Sequence, residues 1–184
     1  MGPNGLTASD FELLGLPERF QLDAVALDTA WKRLQQQAHP DRFATDGASA
    51  QRVSMQWSVR INEAHQRLRD PLKRAAYLCE RRGVPISAED NTAMPADFLM
   101  QQMTWREALD DARSPEDLAA LLDNAKARRE QLLAVLTQTL DGDPTCPDGQ
   151  ATLQAAQTVR ALMFVERFRR DVADRLDRLE HPDG

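Results

Sequence analysis

Apolar residues recur along this chain at spacings of three and four, and nowhere in the strict alternation of a half-buried strand. Leu27, Trp31, Leu34 and Ala38 form one such stripe. Val53, Trp57, Ile61, Ala64 and Leu68 form a second. Phe98, Trp105, Leu109 and Ala112 form a third, and Val165, Phe168, Val172, Leu176 and Leu179 a fourth. Such a chain must bury helix against helix. The expectation is an all-α fold, with a helical hairpin module followed by a three-helix bundle. Aromatics at 5% favour helix over sheet as well. No internal repeat is present.

Local chemistry sets the helix ends. Ser9 and Asp10 can cap a short helix FELL, which Gly15 stops. Asp23 caps a second helix running to about residue 38, and a third runs to about 69. Asp70-Pro71 opens a fourth, LKRAAYLCERR, which ends at Gly83. A polar connection begins at VPIS, giving a module boundary at 84–94. Beyond it one helix spans about 95–112, and Ser114-Pro115-Glu116-Asp117 starts the next with a cap, a first-turn proline and acids at the positive dipole end. That helix runs to about 140, where Asp141-Gly142 ends it. A loop DGDPTCPDG precedes the last helix, from about 150 to 179.

Of 184 residues, 42% are hydrophobic and 28% charged, the balance of a foldable soluble chain. No window reaches a membrane-spanning apolar run, and MGPNGLTASD lacks an apolar signal core, so a cytoplasmic location is expected. Cys79 and Cys146 make neither a disulfide framework nor a paired metal motif. The net charge of −6 is uneven: residues 1–83 hold 12 Lys/Arg against 10 Asp/Glu, and residues 84–184 hold 11 against 19. A +2 module followed by a −8 module implies two different partners. No basic stripe with interleaved aromatics points to nucleic acid.

One of only three histidines, His39, stands in the stretch QAHPDRF between two helical patterns. Proline drives the residue before it out of the helical region. Pro40-Asp41 therefore holds a turn with an imidazole and a carboxylate side by side. By residue type alone this is a catalytic pair, a metal-ligand pair, a recognition knob or an ordinary turn. Catalysis needs a converging nucleophile or second acid–base group, and a metal needs more ligands. His65 falls mid-helix and His181 in the tail, and no HExxH or EF-hand pattern occurs. Neither enzyme activity nor a metal or other cofactor is expected. A metal-dependent hydrolase centred on His39 and Asp41 is the alternative from another class.

An HPD tripeptide between two long amphipathic helices resembles the signature of the J-domain family of co-chaperones. FELLGL at the start, HPDRFA in the middle and LRDPLKRAAYL at the end narrow the likeness. With FLMQQMTWREALDD and VRALMFVERF, the chain is similar to the HscB family, the J-proteins of iron–sulfur cluster assembly. The resemblance covers nearly everything after residue 10. It implies an N-terminal extension at 1–10, a J-domain at 11–83, a linker at 84–94 and a scaffold-binding three-helix domain at 95–184.

The implied partners are an HscA/DnaK-type ATPase chaperone and an IscU-like iron–sulfur cluster scaffold, with the co-chaperone itself a monomer. By that likeness His39, Pro40 and Asp41 contact the chaperone's ATPase domain, a rigid turn offering a carboxylate to a guanidinium-type group. Lys32, Arg33 and Arg42 add a basic surface that acts through on-rate and orientation. Two departures from the usual pattern are Arg42 for lysine and Ala38 for tyrosine. A J-domain co-chaperone with another client is the nearer alternative.

A helical wheel started at Phe98 places Trp105, Leu109 and Ala112 within ~40° of it. Leu99, Met100 and Met103 fall at ~100–200°, and Thr104, Glu107 and Asp111 at ~180–240°. One helix thus has a core face and a second face that is apolar and acidic. Met163 and Phe164 likewise fall outside the stripe of the last helix. Apolar residues left over after the core is assigned mark a partner site. The family likeness assigns scaffold binding to Leu99, Met100, Met103, Glu107, Asp111 and Phe164. Thr104 shares the position but replaces an acidic residue.

Overall fold

The computed structural model describes residues 8–39, 47–86, 96–142 and 148–180. It is all-α, with no strand among the described residues. The helices are α1 (Asp10–Leu14), α2 (Ala24–Ala38), α3 (Ala48–Arg69), α4 (Pro71–Arg81), α5 (Ala96–Asp111), α6 (Pro115–Asp141) and α7 (Asp148–Glu180). They fall into two compact units, Met1–Leu78 and Cys79–Gly184. Most of the connection expected at 84–94, and the stretch 40–46 holding Pro40, Asp41 and Arg42, lie outside the described residues.

In the first unit the expected caps form. Ser9 accepts from the Glu12 N–H at 3.2 Å while Glu12 accepts from the Ser9 N–H at 2.8 Å, a reciprocal capping box. Gly15 ends α1 in the left-handed region at φ 67°, where a side chain would be strained. A helix of five residues cannot stand alone. Tertiary contacts hold α1 down: Phe11 and Leu14 are buried, and Phe11 stacks on Tyr77 at 5.9 Å.

The carboxylate of Asp10 is fully buried between two guanidinium groups. Its Oδ2 accepts from Arg67 at 2.8 Å, and its Oδ1 meets Arg60 at 2.6 Å in an ion pair whose angle is not that of a hydrogen bond. The Tyr77 hydroxyl accepts from the Asp10 N–H at 3.1 Å. Loss of either Arg leaves the buried carboxylate one partner, whereas loss of Asp10 leaves two guanidinium groups without their shared counter-charge.

The α2–α3 hairpin packs Ala38, Trp57 and Ile61 against Leu13, Trp31 and Leu34. Val53, expected in this core, is 49% exposed. Ser54 takes the inward position because its hydroxyl donates to the Ala38 carbonyl at 2.6 Å. A helix end left to itself has unsatisfied carbonyls, and a polar side chain here outweighs one more apolar contact.

The second unit is a three-helix arrangement in which α6 and α7 form the long hairpin. Ser114 caps α6 with a capping box to Asp117 and Pro115 in the first turn. Three hydrogen bonds, from the Arg113 and Ser114 N–H groups and the Ser114 side chain, hold the Asp117 carboxyl below the usual carboxylate range. The α7 core is wider than one stripe. Ala155, Val159, Leu162, Val165, Phe168 and Val172 are all buried. Leu179, placed in the core by period alone, is 45% exposed near the helix end. Helix α7 also begins at Asp148, two residues before its expected start.

Candidate functional site

Two surfaces carry the residues singled out by the sequence. The first is the C-terminal end of α2. Ser54 and Ser58 both donate to the Ala38 carbonyl, at 2.6 and 3.1 Å. Gln35 reaches across the hairpin to the Ser58 carbonyl and to Asn62 Oδ1, which also accepts from Trp31 Nε1 at 2.9 Å. The last turn of α2 is thereby pinned to α3. His39 leaves this anchored end with φ −61° and ψ 127°, extended as a residue before proline must be, and it is exposed. Lys32 and Arg33 are exposed on α2.

One residue in this hairpin escaped the sequence reading. His65 is buried, stacks on Trp31 at 4.7 Å and pairs through Nε2 with Asp28 Oδ1 at 2.7 Å. The His65 hydrogen bond, aided by Arg69, His65 itself and Lys32, holds the Asp28 carboxyl below its ordinary range. Position 65 follows Ala64 on the buried side of α3, so its burial was within reach of the periodicity. Its partner was not, because that requires the register of α2 against α3.

The second surface is the outward side of α5. Leu99, Met100 and Met103 are 36%, 67% and 65% exposed, and Thr104, Glu107 and Asp111 are exposed with them. Helical geometry groups these six on one side. Thr104 donates to the Met100 carbonyl at 3.2 Å, which occupies its hydroxyl. The inward side carries buried Phe98, half-buried Trp105 and Leu109, and buried Ala112.

Phe164 corrects the wheel. It is half-buried, edge-on to Phe98 at 5.6 Å and within ring contact of Trp105 at 6.0 Å and Phe168 at 6.1 Å. Helix α7 must face both α6 and α5, so its apolar arc is too wide for a single stripe to describe. Phe164 therefore backs the α5 face as part of an aromatic cluster.

Among the described residues no group of three or more His, Cys, Asp or Glu could hold a metal ion. Burial pushes the Cys79 thiol up to about 11, leaving little thiolate at neutral pH. No described helix is long and apolar enough to cross a membrane.

The first unit holds a pinned helical hairpin and the second a helix with an exposed apolar face. Comparison with known proteins puts this chain among the co-chaperones. Residues 94–173 match the family described as the HSCB C-terminal oligomerisation domain. A co-chaperone protein HscB homolog of Burkholderia thailandensis is 49% identical over 179 residues, covering 96% of this chain and 98% of the relative. A co-chaperone protein HscB homolog of Ralstonia nicotianae is 48% identical over 183 residues, covering 96% and 99%. The solved chaperone HscB from Vibrio cholerae superposes with a TM-score of 0.79 at 33% identity, covering 94% of this chain and 99% of that one. The human co-chaperone HscB shares the fold, with a TM-score of 0.77 at 23% identity, covering 99% and 85%. The chain belongs to the HscB co-chaperone family.

Proposed function

We propose that this co-chaperone is a cytoplasmic, non-enzymatic adaptor for iron–sulfur cluster assembly. It carries an IscU-like cluster scaffold to an HscA/DnaK-type chaperone and stimulates that chaperone's ATPase. The observation that carries this reading is the α5 surface. Three adjacent large apolar side chains stand open to solvent beside Glu107 and Asp111, on a chain of the HscB family. Exposed methionines adapt to a partner's contour, and the acids at the rim suit a basic patch on the scaffold.

The ATPase role is assigned to residues 11–83, with His39, Pro40 and Asp41 as the contact and Lys32, Arg33 and Arg42 as the steering charge. The anchored end of α2 supports it, because a recognition turn works best when presented from a rigid base. The scaffold-binding role is assigned to residues 95–184, joined through a linker at 84–94. Thr104 contributes shape at this face, its hydroxyl being already engaged.

The purified protein, titrated calorimetrically with the scaffold and added to the chaperone in a steady-state ATPase assay, tests both halves. Binding together with faster hydrolysis supports the reading, and binding without acceleration removes the chaperone half. Sedimentation velocity on the same sample tests the expected monomer, a needed check because the matched family is described by oligomerisation.

A further inference from the structure

Helix α5 ends in a way its own sequence does not support. Asp110 and Asp111 stand at its C-terminus and no basic residue lies in its last turn. The last carbonyls of a helix are unsatisfied and carry the negative end of the macrodipole, so two carboxylates there are unfavourable. The missing cation comes from α7. Arg175 donates through Nη1 to the Leu109 carbonyl at 2.7 Å and through Nη2 to the Ala112 carbonyl at 3.0 Å.

Along α7, Phe164, Phe168, Val172 and Arg175 follow at helical spacing and form one stripe. The rings of Phe164 and Phe168 lie against Phe98 and Trp105 of α5. Apolar burial is non-directional and by itself leaves a helix freer to slide or turn than a pair of directed hydrogen bonds does. A planar guanidinium fork is directional, and two bonds to two named carbonyls fix both rotation and translation. Only Arg113 separates the clamped Ala112 carbonyl from Ser114, the N-cap of α6.

We propose that Arg175 is a positioning residue, which sets the register of α5 and thereby the orientation of its Leu99–Met100–Met103 face toward the partner. The partner assignment rests on the reading given under Proposed function; the clamp itself does not. The hydrogen bonds of Arg175 go to the Leu109 and Ala112 carbonyls, so it acts through the backbone at the end of α5.

The test uses the full chain with Arg175→Ala, Arg175→Lys and, as a control of matched instability, Leu136→Ala in the α6–α7 core. Hydrogen exchange reads α5 directly, and calorimetry reads affinity for the purified scaffold protein. Arg175→Ala is expected to speed exchange in the last turns of α5, leave α6 and α7 protected, and weaken scaffold binding about tenfold. Arg175→Lys keeps the charge but loses the fork, and should fall between parent and Ala. Parental affinity in Arg175→Ala, or an equal loss in Leu136→Ala, overturns the proposal. If Arg175→Ala does not fold, Arg175→Lys decides: intermediate affinity supports positioning, and parental affinity overturns it. If the parent itself fails to bind the scaffold, the functional reading falls, and the exchange result alone judges the clamp: unchanged protection of α5 overturns it.

Discussion

At the scale of single residues, the pair His65 and Asp28 links α2 to α3 through one hydrogen bond of 2.7 Å. Folding lowers the Asp28 pKa, chiefly through that bond. A carboxyl lowered in the folded state contributes stability above its unfolded value, and loses it as pH falls through the folded value. Asp28→Asn should therefore melt below the parent at pH 7, and the gap should close as pH drops below about 4. Thermal melts followed by helical circular dichroism across a pH series report it. A gap that stays constant down to about pH 2.5 would show that the Asp28 contribution does not come from its ionised form. The sequence placed His65 on a helix and Asp28 on another without joining them. The same holds for Ser54 and Ser58: their hydroxyls look like solvent-facing polar residues until the Ala38 carbonyl is seen above them.

At the scale of elements, the sequence was legible wherever local chemistry decides. Ser9, Asp23 and Ser114 cap helices through their own side chains, and Gly15 and Gly83 sit at positive φ where α1 and α4 end. These features need no knowledge of distant neighbours. The arc a helix buries does need it, and there the periodicity was too coarse. Val53 yielded to Ser54, Leu179 proved exposed, and Phe164 joined the rings of Phe98, Trp105 and Phe168. A variant of Leu99, Met103 and Phe164 together is therefore not a clean surface variant. Phe164→Ala should cost about 2 kcal/mol in urea unfolding, less than a fully buried Phe because its side chain is only partly buried. Met100→Ala and Met103→Ala should stay within about 0.5 kcal/mol of the parent. Equal costs for all three would mean that Phe164 adds nothing to the core.

At the scale of the whole molecule, the charge asymmetry between residues 1–83 and 84–184 was visible from composition, and so was a division into two modules. Where the compact units part, between Leu78 and Cys79, was not visible, because it falls inside α4. Cys79 is buried, and Arg82 donates to the Leu140 carbonyl at 2.8 Å, so both take part in the second unit. The proposed function gives each unit its own partner, and so requires that the two tasks be separable. Met100→Ala with Met103→Ala should weaken scaffold binding by roughly 2–4 kcal/mol, the loss expected at the centre of an interface. Added salt should weaken the parent complex further through Glu107 and Asp111. Stimulation of the chaperone by the free variant should remain at the parental level. His39→Gln should do the reverse, abolishing stimulation while scaffold affinity and helical circular dichroism stay unchanged. Combining the three substitutions should add the two losses, since sites that share no partner behave independently. Calorimetry and the ATPase assay on the same preparations decide it. If His39→Gln also reduced scaffold affinity, the two surfaces would be coupled and the account of an adaptor with two independent ends would fail.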